Sequence, residues 1–366
     1  MKEILHLCSD IYSKSNLQGL ISRTEGTVQN RVLLIGSNSS DISGALSYHL
    51  AEERPFNPKH FEKHEPQILQ HLLQHISLEN INLAHAHSLF GSGAVAYQLF
   101  RNYNIPYIVE IRNEDVRNIG LNPFWFKRQG IEILTNASRV VFLNRNYQDY
   151  LATKLSNSTA DRIFGQSLTI LDGIDNFWFT NLHQPKPVSL IKIRLLYAGA
   201  DLDTKHLRNL IKAMNIITKK NLTITLTIMG NALKDGQLEK IAAGDDRIDT
   251  LPYRDKEQLM EQFRRHDIFV LPETAGSSTH FYAESLTQGI PVIYNRHEGL
   301  DGIYTDGHAG YATNFGSADD LADKILLISE RYATIEQHLT DLQPFNEFNW
   351  DDIYRHFLRI YDIAGR

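Results

Sequence analysis

Residues 279–295 read THFYAESLTQGIPVIYN. The small and apolar residues around Phe281, Ala283 and Leu286 suit a buried helix. Gly289 stops that helix, and Ile290-Pro291 leads at once into a β-type run, Val292-Ile293-Tyr294. A helix that ends on a glycine and turns directly into a strand is a unit of α/β architecture. One carboxylate, Glu284, lies a turn into the helix, just behind the hydroxyl-rich loop Gly276-Ser277-Ser278-Thr279.

The same alternation runs along the whole chain. Strands are expected at Ile4-Cys8, Arg31-Ile35, Asn82-His87, Tyr107-Ile111, Arg139-Leu143 and Leu168-Leu171. A second series is expected at Ile193-Ala198, Leu222-Met229, Arg247-Leu251, Ile268-Leu271 and Pro291-Tyr294. Amphipathic stretches such as Ala94-Tyr103, Leu207-Ile217, Lys256-Arg265 and Ala318-Ser329 separate them. Strands alternating with helices argue for βαβ units, and two series argue for two doubly wound parallel sheets. The polar, proline-punctuated stretch Asn181–Pro187 has the composition of a linker. We therefore expect a Rossmann-like domain over 1–180, a linker over 181–192 and a second Rossmann-like domain over 193–345. In the last segment, 346–366, Ile353, Phe357, Ile360 and Tyr361 recur at helical spacing. This helix needs an apolar surface and is expected to cross back toward the N-terminal domain. Parallel sheets bind ligands at the carboxyl ends of their strands, so two facing domains predict a ligand in a central cleft.

Length and composition agree with this organisation. A chain of 366 residues with 42% hydrophobic and 22% charged residues can bury two cores. The single cysteine, Cys8, cannot form an internal disulfide, which suits a reducing cytosol, and it reads as a strand residue. The N-terminal apolar run is too short for a signal peptide, and no segment has the apolar length of a membrane span. Residues 1–190 hold 17 basic and 17 acidic side chains, so the net charge of −6 belongs to the second half. No basic footprint for nucleic acid is present, while a neutral first half is compatible with peripheral contact at a membrane's inner face.

Several strand ends carry polar residues that could do chemistry. His85 and His87 project to one side of a strand end, where an imidazole can donate to a sugar hydroxyl or a phosphate oxygen. Their structural alternative is a pair satisfied by backbone carbonyls, and no neighbouring ligand set in the sequence completes a metal shell. Gly91-Ser92-Gly93 followed by a helix permits a dinucleotide reading, with Glu110 as a ribose-binding acid. Gly91, however, falls several residues beyond its strand. Arg112-Asn113-Glu114-Asp115 must lie at the exit of a buried strand, with Arg112 free to pair with Glu114 or Asp115 or to face a ligand. Leu171-Asp172-Gly173-Ile174-Asp175 reads as a tight turn with Gly173 at positive φ. Gly199 permits close approach after a strand, and Lys205 near a helix start could hold a diphosphate. Gly276 with Ser277, Ser278 and Thr279 forms the strongest candidate, a loop of hydroxyls and amides before a helix start. Glu284 would then accept hydrogen bonds from a ribose diol, or it could simply complement the helix dipole.

In order, these stretches resemble a GT-B glycosyltransferase of the family 4 (group 1) type, the large retaining class that includes bacterial surface-polysaccharide enzymes. Ala283–Val292 resembles the signature Glu-Ala-x-x-x-Gly-x-Pro-Val, and Leu171–Asp175 resembles the turn Pro-Asn-Gly-Val-Asp. His85-Ala86-His87 with Ile105-Pro106-Tyr107 resembles the strand and loop whose histidine contacts the donor sugar, and Lys205 matches the diphosphate lysine. Arg112–Asp115 looks like a variant of the bacterial surface-polysaccharide enzymes. The family's paired glutamates have seven residues between them. Glu284 matches the second, Gly276 stands at the first, and Glu273 lies three residues earlier. Ala200 stands where the family has an arginine, and Ser13–Asn16 replaces a glycine pair.

The resemblance implies transfer of a hexose from a UDP- or GDP-type sugar to a hydroxyl of a glycan or lipid-linked acceptor, without metal or resident cofactor. His87, Glu273 and Lys205 would act on the donor sugar and diphosphate; Glu284, Gly276, Ser277, Ser278, Thr279, Gly199 and Arg112 would bind the donor. The alternative is a catalytically impaired GT-B subunit that binds sugar nucleotide for a partner enzyme. A nicotinamide-dependent enzyme built on the Gly91-Ser92-Gly93 loop is the third reading.

Overall fold

The structure is a computed structural model that describes residues 1–9, 12–36, 45–48, 58–121, 124–186, 191–198, 204–230, 244–271 and 280–365. Among the described residues, one sheet contains β1 (Lys2–Cys8), β2 (Val28–Ile35), β3 (Leu46–Tyr48), β4 (Ile81–Ala86), β5 (Tyr107–Ile111), β6 (Arg139–Phe142) and β7 (Ser167–Thr169). The other contains β8 (Lys192–Ala198), β9 (Thr223–Met229), β10 (Ile248–Leu251), β11 (Ile268–Val270), β12 (Val292–Asn295) and β13 (Gly310–Thr313). Their strand orders are β3-β2-β1-β4-β5-β6-β7 and β10-β9-β8-β11-β12-β13. Every neighbouring pair is parallel. Both sheets are Rossmann-like and doubly wound, so the two-domain α/β class is correct. Strand order reverses between β1 and β4 and between β8 and β11, and ligands of such sheets bind beyond the carboxyl ends there.

Burial on both faces explains why these strands read as continuous apolar runs. In β1, every residue from Ile4 to Cys8 is buried. In the second sheet, Leu195, Leu196, Leu226, Phe269 and Ile293 have no exposed surface. The helix Thr204–Thr218 buries Leu207, Leu210, Met214 and Ile217 in a stripe at helical spacing. Asp255 caps the helix Lys256–Arg265, accepting from the Gln258 N–H at 2.7 Å.

The chain divides into Met1–Gly173 with Trp350–Arg366, and Ile174–Asn349. The division therefore falls at Gly173/Ile174, before the expected linker. The described part of that stretch lies on the second unit: the His183 N–H donates to Thr287 O at 2.9 Å, and Lys186 Nζ donates to Arg264 O at 2.7 Å. The C-terminal helix Trp350–Ala364 packs Ile353, Phe357, Ile360 and Tyr361 into the core of the first unit. Its first residue, Trp350, corrects the reading of Gly173, whose φ is not in the positive range. A Cβ on Gly173 would lie 2.6 Å from the indole, and one on Gly19 would lie 2.5 Å from it. These glycines are there because a tryptophan ring occupies the space beside them.

The exit at Gly289 has a separate cause. The Gly289 N–H donates to Leu286 O at 2.9 Å and the Ile290 N–H to Ser285 O at 3.3 Å. These are the paired bonds of a Schellman motif, with Gly289 at φ +71°. A Cβ there would also lie 2.5 Å from Pro185 N, so backbone strain and contact both require glycine.

Candidate functional site

Each unit carries a candidate site at the strand ends beside its switch point. In the first unit, β1, β4 and β5 bring His6, His85, His87 and Glu110 together, all buried. The parallel register sets His6 directly beside His85. His85 Nε2 and His87 Nδ1 both lie 3.1 Å from Glu110 Oε1, which accepts from each. Arg112 Nη2 donates to Glu110 Oε2 at 2.9 Å, Nη1 to Asp172 Oδ2 at 3.3 Å and Nε to His87 O at 2.9 Å. Arg112 thus pairs through its side chain with Glu110 and Asp172. Asp115 accepts from the Arg112 backbone N–H at 3.0 Å and the Leu89 N–H at 3.1 Å, closing the start of the helix Asn113–Leu121.

The electrostatics follow from this packing. Burial pushes the Glu110 carboxyl up, but His87, His85 and Arg112 together pull it well below the usual carboxylate range. Burial, reinforced by His87, lowers His85 to about 4, so its ring is neutral. Burial and the two neighbouring imidazoles also lower His6.

His87 is only 1% exposed, and both ring nitrogens have protein partners, His6 and Glu110. Its side chain is held inside the cluster, and its backbone carbonyl is the group held by Arg112. The third imidazole, His6, was missed in the sequence because a single histidine inside ILHLC reads as a core residue. The signal was available as a second strand histidine at the register of His85. Nitrogens of His6, His85 and His87 lie within 4.8 Å of one another, close enough for a shared ion. Each ring nitrogen is nevertheless engaged by a protein group, so the cluster is complete as a hydrogen-bonded set.

The dinucleotide reading fails on the same strand end. Ser92 Oγ accepts from the Ser88 N–H at 3.0 Å, Asp115 takes the Leu89 N–H, and Ser88 O takes the Gly93 N–H at 2.9 Å. Those amides are occupied by protein, and a Cβ on Gly93 would lie 2.9 Å from Ser88 O. Gly93 therefore lets the helix pack against its own loop. Glu110 is taken by imidazoles and a guanidinium and is not placed as a ribose acceptor.

In the second unit, Glu284 lies on the helix His280–Thr287, half-buried. Burial raises its carboxyl to about 8. A hydrogen bond from Trp178 and the charge of Lys256 oppose the rise, and Asp175 adds to it. Asp175 caps the helix Asn176–Thr180 through the Phe177 N–H at 2.7 Å and pairs with Lys256 at 3.1 Å. Lys256 also stands 4.8 Å from the centre of the Phe177 ring. The turn read from sequence thus delivers an aspartate to the surroundings of Glu284. Burial raises Tyr253 as well, and the Glu284 charge adds to that rise.

Lys205 is exposed in the first turn of the helix Thr204–Thr218, where the helix dipole opposes a cation. Gly199, Glu273, Gly276, Ser277, Ser278 and Thr279 lie outside the described residues. They follow β8 and β11 in the sequence, the two strands that flank the switch point.

Two parallel Rossmann-like sheets define the GT-B class of fold. Residues 180–338 match the sequence profile of the family described as "Glycosyl transferases group 1". An uncharacterized glycosyltransferase of Methanocaldococcus jannaschii is 21% identical over 295 residues, 78% of this chain and 77% of its own length. The amylovoran biosynthesis glycosyltransferase AmsK of Erwinia amylovora is 24% identical over 192 residues, 50% of this chain and 46% of its own. Among solved structures, a sucrose-phosphate synthase of Thermosynechococcus elongatus superposes with a TM-score of 0.71 at 16% identity, over 99% of this chain and 98% of its own. Anabaena HepE in complex with UDP gives 0.71 at 15% identity, over 99% and 100%. No helix among the described residues is long and apolar enough to cross a membrane.

Proposed function

We propose that this protein is a retaining glycosyltransferase that moves a hexose from a UDP- or GDP-type sugar to a hydroxyl of a glycan or lipid-linked acceptor, in polysaccharide or glycan synthesis. The observation that carries the reading is Glu284. It is a carboxyl held near the start of a helix with its proton retained by burial, one turn after a loop of hydroxyl residues. Among the described residues Trp178 donates to this carboxyl, and a ribose diol would add hydroxyl donors to its ionised form. Solved structures of HepE contain UDP and UDP-glucose, which supports a nucleotide donor for this fold.

In this reading Ser277, Ser278, Thr279 and Lys205 bind the diphosphate, with Gly199 and Gly276 allowing its approach. Their amides and charge stabilise the diphosphate as its bond to the anomeric carbon breaks. The acceptor oxygen attacks that carbon on the same face, and its proton passes to the departing phosphate oxygen. Glu273 stands in for the carboxylate missing at position 276 and orients the sugar. The reaction needs no resident metal, and the protein works in the cytoplasm or at the inner face of a membrane.

Calorimetry with UDP, GDP and NAD tests the binding mode, and a sugar-release assay tests turnover. The reading expects nucleoside diphosphate binding and release of sugar. NAD binding without nucleoside diphosphate binding would overturn it, and binding without any sugar release would show a subunit that only holds the nucleotide. Glu273→Gln is expected to reduce turnover more than affinity; unchanged activity would remove Glu273 from the site.

A further inference from the structure

The buried cluster of the first unit carries a proton count that follows from its bonding alone. Thr24 has one hydroxyl proton, and its Oγ1 donates it to Leu20 O at 3.0 Å. The same oxygen therefore accepts from Asn30 Nδ2, which lies 3.1 Å away. That fixes the amide of Asn30 with Oδ1 facing His6 Nε2 at 3.0 Å. An amide oxygen only accepts, so His6 Nε2 bears a hydrogen. At the other end, Glu110 Oε1 accepts from His87 Nδ1, so that nitrogen bears one too. Between them, His6 Nδ1 and His87 Nε2 stand 3.1 Å apart, and one of the two must donate.

Three N–H groups on two rings are one more than two neutral imidazoles possess. We propose that His6 and His87 together hold this extra proton as a buried imidazolium, with Glu110 as its counter-ion, and that the pair positions Arg112 at the strand ends.

The remaining groups around the pair agree with this assignment. Tyr361, from the C-terminal helix, donates to His85 Nδ1 at 2.8 Å, and His85 Nε2–H goes to Glu110, which leaves His85 neutral. Among the described residues, the charged groups bonded around the pair are Glu110 and Arg112 from β5 and its exit, Asp172 paired to Arg112, and Asp115 on the next helix. Two carboxylates, Glu110 and Asp172, pair with the one Arg112 guanidinium, and an imidazolium offsets the remaining negative charge where little water screens it. Loss of the proton would set two acceptors against each other along the line Asn30–His6–His87–Glu110. One link would open, and the Arg112 bonds to Glu110 and to the His87 carbonyl would loosen with it. The inference concerns the first unit alone and holds whether or not a sugar is transferred.

The test is nitrogen-15 spectroscopy of the full chain labelled at histidine, with rings assigned by their loss in His6→Gln and His87→Gln. Near neutral pH we expect His87 with both nitrogens protonated, and His6 and His85 with Nε2 protonated only. Asn30→Asp keeps an acceptor opposite His6 and is expected to leave that pattern unchanged; it also serves if either glutamine variant fails to fold. The contrary result is a single Nδ1–H on both His6 and His87. That would mean the Asn30 amide is reversed and receives the Thr24 proton, leaving the pair neutral. In that case Asn30→Asp would move the His6 proton from Nδ1 to Nε2, and either finding would overturn the proposal.

Discussion

Glu110 and Glu284 are glutamates of the same chain that burial pushes toward the protonated form, and they end in opposite states. Glu110 has two imidazoles and a guanidinium within 3.1 Å, and they return it to a carboxylate despite its burial. Glu284 has a tryptophan N–H and a more remote lysine, and burial prevails. The difference teaches that burial sets the demand for partners and neighbours decide whether it is met. A carboxylate whose demand is met inside the protein is a structural element. One whose demand is unmet is a place where a ligand's hydroxyls gain binding energy.

The sharpest way to break this contrast is to remove each carboxylate in turn. Glu110→Ala leaves Arg112 and the imidazole pair without a counter-charge, and should cost about 3–5 kcal/mol of folding stability. Denaturant titration checks this, and a loss below about 1 kcal/mol would mean Glu110 is not the centre of the cluster. Glu284→Ala should leave the fold intact and weaken binding of a UDP- or GDP-sugar by about 1.5–3 kcal/mol above pH 8, the range of a charged hydrogen bond. Unchanged affinity would remove Glu284 from the site.

Gly289→Ala, in the same segment, should do the reverse. It forces a left-handed residue and a clash with Pro185, and should destabilise by about 1–2 kcal/mol with the nucleotide affinity of the folded fraction preserved.

The smallest effect concerns pH. Glu284 keeps its proton up to about 8, whereas the unfolded carboxyl loses it near 4.5. The native state therefore binds the extra proton between those values, and wild-type stability falls as pH rises across that window. Glu284→Gln does not titrate. It should melt a few degrees above wild type at pH 8 and show no such advantage at pH 4. Equal melting temperatures at both pH values would show that Glu284 is well solvated.

Much of the fold was legible because parallel strands buried on both faces are unbroken apolar runs. β3 and β13 were not read: Leu46–Tyr48 has three residues, and Gly310–Thr313 opens on a glycine. The glycine exit at Gly289 was visible, while the reason for Gly173 was not, because Trp350 lies far along the chain. At the candidate sites, Glu284 stood out as a lone carboxylate in an apolar stretch. His6, Asn30 and Tyr361 did not, since their role exists only once β1, β2, β4 and the C-terminal helix are brought together. Arg112 was recognised as a strand-exit residue, but its partners Glu110 and Asp172 are set by the sheet and by a turn 60 residues away.

The central claim is that Glu284 receives the nucleotide, and calorimetric titration of UDP and GDP across pH 6 to 9 tests it most directly. Hydroxyl donors favour the ionised carboxyl, so wild-type affinity should rise with pH until Glu284 has lost its proton, by as much as about tenfold per unit below pH 8. Glu284→Gln carries the diphosphate's own titration without that of the carboxyl, so its profile should lack this rise and match wild type only at the acid end. Coincident profiles for wild type and Glu284→Gln at every pH would contradict the account.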